Sequence, residues 1–150
     1  MLSALRYLRG LLRFVQRRTD SCIVIPFGRK PVIALRLGKS LRFLCLRARG
    51  FEDAPTLRSV FEDQFFRPRQ EVASTLISAH LERIHSSGNT PHIIDCGAHV
   101  GLSAVWFKNS YPSSSLIGVE PLRENYNLAL ENTSCFTDVT ILHRAIHLEN

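Results

Sequence analysis

The sequence predicts an α/β fold, in which an incomplete, doubly wound parallel sheet follows an amphipathic helix and a small antiparallel β meander. Leucines and arginines recur at helical spacing over residues 2–18. Short apolar runs separated by turn-forming residues occupy residues 22–47. From Pro91 onward, short apolar runs alternate with helical segments, an order that is typical of parallel βαβ units.

The first segment, residues 1–20, predicts a basic amphipathic helix. At about 100° per residue its apolar side chains fall on one broad side, and its arginines fall within an arc of about 80° on the other. The apolar side consists of Leu5, Leu8, Leu11, Leu12 and Val15, and the basic side of Arg6, Arg9, Arg13 and Arg17. Three roles stay open for this helix: it lies on an anionic membrane surface, packs onto the body of the protein, or acts as a mitochondrial targeting segment.

Residues 21–67 predict a small β-rich extension. Three short runs rich in Val, Ile, Leu and Phe are Cys22–Phe27, Val32–Leu37 and Leu41–Arg47. The segments between them, residues 28–31 and 38–40, contain Gly with Lys, Pro or Ser, a composition typical of turns. Consecutive strands joined by short turns predict an antiparallel meander.

Residues 68–150 predict the first half of a Rossmann-like domain. A helix is expected from Pro68, which suits a first helical turn, to about His85. The strands expected after it are His92–Cys96, Ser115–Val119 and Val139–Ile146, and the helices between them are Leu102–Ser110 and Pro121–Asn132. Sheets of this class contain more than three strands, at roughly 30 residues per βαβ unit. We therefore expect the chain to end before the domain is complete.

The charge and the cysteine content indicate which binding partners and which cellular compartment to expect for this protein. The net charge is +6, but residues 1–50 carry twelve Lys or Arg and one acid, whereas residues 51–150 are net negative. The basic part indicates either a solvated face or a surface for an anionic partner. No RNA-binding signature is present, so nucleic acid is not expected. The four cysteines are scattered and the histidines lack metal spacing, which favours reduced thiols, no metal site and a cytoplasmic protein, with peripheral membrane association open.

The strand that begins after Pro91 runs into a D-x-G-x-x-x-G turn, Asp95 to Gly101, and then into a helix. In such a sheet the ligand crevice opens at the carboxyl ends of the strands, where this turn lies. Gly97 allows a ligand to approach the backbone closely, and Gly101 allows close packing where the helix begins. Glu120 ends the next strand, 19 residues after Gly101, where a carboxylate can accept hydrogen bonds from both hydroxyls of a ribose. These residues predict a nucleoside-binding site.

The spacing of the glycines distinguishes between ligands. A nicotinamide dinucleotide site typically has G-x-G-x-x-G, whose three glycines make room for a pyrophosphate. Here two glycines stand four residues apart, so a ligand without a pyrophosphate fits better. S-adenosylmethionine has a ribose for Glu120 and an amino-acid end for the glycine turn. A glycine turn that binds no ligand is the remaining alternative.

At these residues the chain resembles the FkbM-type family of class I, S-adenosylmethionine-dependent methyltransferases. The family pattern is a D-x-G-A-N-x-G loop and a helix, then an apolar strand ending in Glu-Pro and a helix with Glu-Asn-aromatic and a later Asn. The corresponding residues here are Asp95–Gly101, Leu116–Pro121, Glu124-Asn125-Tyr126 and Asn132. The resemblance covers residues 91 to about 147.

The resemblance implies a set of cofactor residues. They are Asp95, Gly97, Ala98, His99, Gly101, Glu120 and Ala145. The glycine loop would line the methionine end, Glu120 would hold the ribose, and the backbone near Ala145 would lie near the adenine. His99 stands where the family usually has Asn, and a histidine is bulkier and can titrate. No catalytic residue is nominated, because the acceptor site and any general base of the family lie mainly in its second half.

The expected function is methyl transfer from S-adenosylmethionine to an oxygen of a small-molecule or glycan-like acceptor. Such activity is expected if the chain is part of a longer protein, and whether 150 residues suffice for it stays open. The alternative is a truncated, non-catalytic fragment with at most residual cofactor binding, associated with membranes through its basic helix. A second class of partner, an anionic membrane surface contacted by residues 2–18, belongs to both hypotheses.

Overall fold

The computed structural model describes residues 22–27, 30–37, 40–47 and 53–147. The helix predicted over residues 2–18 lies outside the described residues. The chain divides into two compact units, with the boundary between Thr56 and Leu57. Residues 57–67, which the sequence analysis grouped with the β-rich extension, therefore belong to the second unit. In the described part of the chain, no helix is both long and apolar enough to cross a bilayer.

The first unit contains a three-stranded antiparallel sheet in the order β1-β2-β3, so the predicted meander is confirmed. The predicted bounds of its second and third strands are wrong: the second begins at Lys30 instead of Val32, and the third spans Ser40–Cys45 instead of Leu41–Arg47. The strands are β1 (Cys22–Phe27), β2 (Lys30–Leu37) and β3 (Ser40–Cys45). Side chains alternate between the two faces of the sheet. Ile33, Leu35 and Leu44 are buried, and the register pairs Ile33 with Leu44 on the same face. This face forms the core of the first unit.

An ion pair closes the segment that follows β3. Asp53 is buried, and its carboxylate accepts hydrogen bonds from the backbone nitrogen of Arg47 at 2.7 Å and from its guanidinium at 2.9 and 2.6 Å. The carboxylate of Asp53 thus binds both the backbone N–H and the charged guanidinium of Arg47, six residues earlier in sequence. A short helix α1 (Ala54–Leu57) follows, and a π-helical turn spans Arg58–Glu62.

Helix α2 (Glu71–Ser86) begins three residues later than predicted. The helix cannot include Pro68, because Gln70 has an extended backbone with φ −96° and ψ 132°. The apolar side chains near its start, Val72, Leu76 and Ile77, are exposed, whereas Leu81 and Ile84 are half-buried. The described structure therefore covers apolar side chains only near the end of this helix, and only in part.

The second unit contains a three-stranded parallel sheet in the order β4-β5-β6. The strands are β4 (His92–Cys96), β5 (Ser115–Val119) and β6 (Val139–Leu142), and the crossover helices are α3 (Leu102–Ser110) and α4 (Arg123–Thr133). The predicted bounds of β4, α3 and β5 are confirmed. The predicted bounds of α4 and β6 are wrong. Leu122 has an extended backbone that delays α4, and a turn from Arg144 N to Leu142 O ends β6 before Ile146.

One face of this sheet is buried and the other is open. Leu116, Gly118 and Ile141 are buried, while Ile94, Ile117 and Leu142 on alternate positions are exposed. Helices α3 and α4 contact each other and the strands. The described structure is therefore an α/β unit with a parallel sheet that helices cover on one face. The helices on both faces that a doubly wound fold requires are not among the described elements.

The amino ends of the strands are tied together by a buried cation. Lys108, in the last turn of α3, is almost completely buried. Its ammonium donates hydrogen bonds to Pro112 O at 2.8 Å, to Ser114 O, and to the carboxylate of Asp138 at 2.7 Å. The first two acceptors precede β5 and the third precedes β6. Lys108 therefore fixes where both strands begin.

Candidate functional site

The predicted site residues lie at the carboxyl edge of the parallel sheet. The loop from Gly97 to Gly101 follows β4, Glu120 follows β5, and the segment that contains Ala145 follows β6. Because the three strands are parallel and adjacent, their carboxyl ends lie side by side. The fold thus brings Glu120 into contact with the loop, since its carboxylate binds the amide of His99, 21 residues earlier in sequence.

The loop after β4 is anchored to β5 by its backbone. The amides of Gly97 and Ala98 both donate to Val119 O, at 2.9 and 3.0 Å, and the amide of Gly101 donates to Ala98 O at 2.8 Å. Three loop residues have left-handed backbones: Gly97 with φ 98°, His99 with φ 50° and Gly101 with φ 81°. The loop is therefore a defined turn with its shape fixed by β5.

The two glycines of the loop have different surroundings. A Cβ built on Gly97 would meet no atom within 4 Å, and Gly97 is exposed. A Cβ on Gly101 would lie 3.0 Å from Ala129 Cα and 3.2 Å from Ala129 O, in α4. The predicted close packing at Gly101 is confirmed, and this packing buries the residue. Open space in front of the loop is found at Gly97.

Glu120 is the central hydrogen-bond acceptor of the site. Its Oε2 accepts the amide of His99 at 2.9 Å, and its Oε1 accepts the amide of Leu122 at 2.9 Å and Nδ2 of Asn125 at 3.2 Å. The residue is only 4% exposed. Each carboxylate oxygen has two lone pairs, so Oε2, with one hydrogen bond from the described residues, retains capacity for another donor. Glu120 thus connects the glycine loop to the start of α4.

Two asparagines of α4 connect this helix to Glu120 and to the glycine loop. Asn125 donates to Glu120, and Nδ2 of Asn132 donates to Val100 O at 2.8 Å inside the loop. Both asparagines are buried. Both residues match the family pattern in sequence, which predicted no role for them. The signal was available, since a seven-residue spacing on a helix places both on one face.

His99 has a left-handed backbone conformation, which is uncommon for a residue other than glycine. Its φ of 50° lies in the left-handed region, where Asn, Asp and His are several-fold enriched among residues other than glycine. Its amide is fixed by Glu120, and its side chain is half-buried. A histidine is therefore among the residues that suit this backbone conformation.

Ala98 packs into the sheet, which limits its predicted role as a cofactor residue. It is buried, and its Cβ lies 2.9 Å from the position that a Cβ on Gly118 would occupy. Gly118 has no room for a side chain, because Ile141 Cδ1 lies 2.8 Å from the same position. Gly118 was not among the predicted site residues. A glycine inside a strand is the signal that would have indicated such a close approach.

Ala145 lies three residues after the end of β6, in an exposed segment without regular structure. The predicted third strand through Ile146 is wrong here, as described above. Nearer to the sheet, the ring of His143 stacks on Tyr126 of α4, with centroids 5.0 Å apart and planes at 25°. His143 Nε2 also lies 3.0 Å from Pro121 O. This aromatic pair forms the side of the site that follows β6.

Asp95 is the titratable group of the site whose environment is most clearly altered. Burial raises the pKa of its carboxyl above the ordinary value of 3.8, and a hydrogen bond from Ser103 Oγ to Oδ2 at 2.5 Å partly opposes this effect. Ser103, in the first turn of α3, was not singled out by the sequence analysis. Raised pKa values in a crevice are common at functional sites.

Asp95→Asn is expected to stabilise the protein at neutral pH and to have little effect in acid. Since the folded pKa is raised, folded Asp95 keeps its proton to a higher pH than unfolded Asp95. Stability therefore falls as the pH rises from 3.8 through the folded-state pKa, and stays lower above it. The stability of Asp95→Asn should not fall in this way, because asparagine has no carboxyl group that ionises. Urea unfolding of both proteins over a pH series measures the difference.

Ser103→Ala serves as the opposing control for this series. It removes the hydrogen bond that favours ionised Asp95, so the pH-dependent loss of stability should increase. If the wild-type and Asp95→Asn curves run parallel at all pH values, the carboxyl is not desolvated in the way described.

Comparisons with known proteins add no family assignment. A scan against protein-family models and a search of curated proteins found no match to this chain.

Among the described residues, no group of three or more His, Cys, Asp or Glu side chains is arranged to hold a metal ion.

Proposed function

We propose that the second unit binds S-adenosylmethionine at the carboxyl edge of the parallel sheet and supports transfer of its methyl group. The observation that carries the proposal is the pairing of an open, glycine-containing turn at Gly97 with a buried carboxylate at Glu120. A charged acceptor at the end of the second strand suits ribose hydroxyls. The family resemblance of residues 91–147 supports the choice of this nucleoside over a dinucleotide.

The described residues suggest where each part of the cofactor would bind. The turn at Gly97 offers exposed backbone beside Asp95, which suits an amino-acid end carrying an ammonium. Oε2 of Glu120 keeps acceptor capacity for a ribose hydroxyl. The segment between His143 and Ala145 would border the adenine. The fixed loop would lower the entropic cost of binding, because it already has its bound shape and loses little conformational freedom when the ligand binds.

Methyl transfer places limited demands on the protein. The cofactor supplies an activated sulfonium methyl, and the chain must hold it in line with the attacking oxygen. A base that accepts the proton of a hydroxyl acceptor is also needed. We assign neither the acceptor site nor the base to a residue. We propose a small-molecule or glycan-like acceptor on the family resemblance alone.

Gly97→Val is expected to abolish binding of S-adenosylhomocysteine. The branched side chain would fill the open space at the turn and would be strained at φ 98°. Isothermal titration of the full chain with S-adenosylhomocysteine provides the measurement. The wild type should bind it, and the variant should give no detectable heat at the same concentrations.

Gly88→Val is the matched control, because Gly88 also has a positive φ of 75° and open space around it but lies in the turn between α2 and β4. It should carry the same backbone strain and bind the ligand as the wild type does. If the wild type itself shows no binding, the cofactor proposal fails and the non-catalytic alternative is favoured. If Gly97→Val binds as tightly as the wild type, the turn does not contact the ligand.

A further inference from the structure

The first unit exposes an apolar and basic patch on one face of its antiparallel sheet. The register pairs Arg36 with Leu41 and Ala34 with Phe43, so Arg36, Leu41 and Phe43 share that face and form what we call the meander patch. Leu41 is 53% exposed and Phe43 is 58% exposed, and Arg36 is exposed as well. The opposite face of the same strands holds Ile33 and Leu44, which are buried. On the face of the meander patch the small side chain of Ala34 is buried, whereas the three larger side chains of the patch are exposed.

The charge of the unit identifies the kind of surface that would cover this patch. Residues 1–56 contain twelve Lys or Arg and three acids. One of those acids, Asp53, is buried and forms an ion pair with Arg47, which leaves eleven of the twelve basic residues and two of the three acids outside this pair. Clustered basic residues attract anionic membranes, and the attraction decays within a Debye length of the surface.

We propose that the first unit binds an anionic phospholipid bilayer through the meander patch. Phe43 and Leu41 would enter the interface between headgroups and acyl chains, where an aromatic ring and an aliphatic side chain lose exposed apolar area. Arg36, beside Leu41, would remain at headgroup level and donate to phosphate oxygens. This inference does not depend on the proposed cofactor site.

The chemistry of the patch favours a bilayer over a nucleic acid. Phosphate contacts would use Arg36 equally in both cases. A single-stranded nucleic acid stacks its bases on aromatic side chains, so the exposed Leu41 would contribute little to binding it. A bilayer uses both Leu41 and Phe43, since both bring apolar area out of water.

Vesicle cosedimentation of the full chain tests the proposal. Vesicles of phosphatidylcholine alone are compared with vesicles that contain about a quarter phosphatidylserine, at low and high salt. Binding is expected only to the anionic vesicles and should weaken as salt rises. The double variant Leu41→Ser with Phe43→Ser should bind at least about tenfold more weakly, because little apolar area is left to enter the interface.

Phe65→Ser is the matched control, since Phe65 is 64% exposed but lies in the second unit, and it should leave vesicle binding unchanged. Phe43→Trp gives an independent reading: its indole fluorescence should shift to shorter wavelength on anionic vesicles but not on neutral ones. Equal binding by the double variant, binding to neutral vesicles alone, or no binding by the wild type would each overturn the proposal. Preference for a single-stranded RNA over vesicles would overturn it in favour of a nucleic-acid surface.

Discussion

Gly101→Ala is expected to lower the free energy of unfolding of the second unit by roughly 2–4 kcal/mol. Two effects add at this position. An alanine at φ 81° is strained by about 1–2 kcal/mol. Its Cβ would also lie 3.0 Å from Ala129 Cα and 3.2 Å from Ala129 O, and backbone atoms cannot move aside as the end of a flexible side chain can. Urea unfolding followed by circular dichroism measures the change.

The two effects can be separated with Gly88→Ala. Gly88 has a similar φ of 75°, but a Cβ there would meet nothing within 4 Å. Its loss should be the strain alone, about 1–2 kcal/mol. Equal losses for the two variants would show that α4 moves away from the loop at no cost, and that contact between Gly101 and Ala129 is not tight.

Glu120→Ala is expected to destabilise the second unit by roughly 3–5 kcal/mol. The substitution removes a buried acceptor from three donors at once: the amides of His99 and Leu122 and the side chain of Asn125. An unsatisfied buried donor costs about 1–3 kcal/mol. The left-handed backbone of His99 would also lose the hydrogen bond that holds it.

The measurement is again urea unfolding, with Glu124→Ala as the control. Glu124 is an exposed glutamate in the first turn of α4, so its removal should change stability by less than about 1 kcal/mol. A stability loss for Glu120→Ala no larger than that of the control would mean that the carboxylate does not organise the loop. Ligand titrations of the Glu120 variant should be made only where it is shown to be folded.

Local sequence patterns predicted most of the parallel sheet. The bounds of β4, α3 and β5 follow directly from apolar runs bordered by the glycine turn and by Pro91 and Pro112. These residues interrupt helices and strands, so they limit where each element can begin and end. The antiparallel meander was predicted for the same reason, from turn residues between short apolar runs. Where strong breakers are closely spaced, the elements between them are well determined.

The errors occur where the backbone conformation of a single residue beside the element sets its end. Pro68 is compatible with a first helical turn, but an extended Gln70 moves the start of α2 to Glu71. Pro121 is likewise excluded from α4, because the amide of Leu122 is held by Glu120 in an extended conformation. Neither conformation is indicated by the propensities of the residues themselves.

The position of Glu120 and the glycine turn at one edge of the sheet was predicted, but their contacts with other elements were predicted only in part. Glu120 and the two glycines were singled out as ligand residues, and the structure adds that Glu120 and Gly101 also hold the fold together. Ser103, Asn125 and Asn132 act through contacts that cross between elements. Such partners become identifiable only once the helices are packed against the loop.

The burial of Lys108 also constrains how the sequence can change. Its ammonium is shared by acceptors from two separate segments, including the carboxylate of Asp138. If Lys108 alone were replaced by an apolar residue, these acceptors would lose their donor, and if Asp138 alone were replaced, the cation would lose its counter-charge. Positions 108 and 138 are therefore epistatic: a mutational path away from this pair passes through a less stable single substitution before any compensating change can restore the sheet.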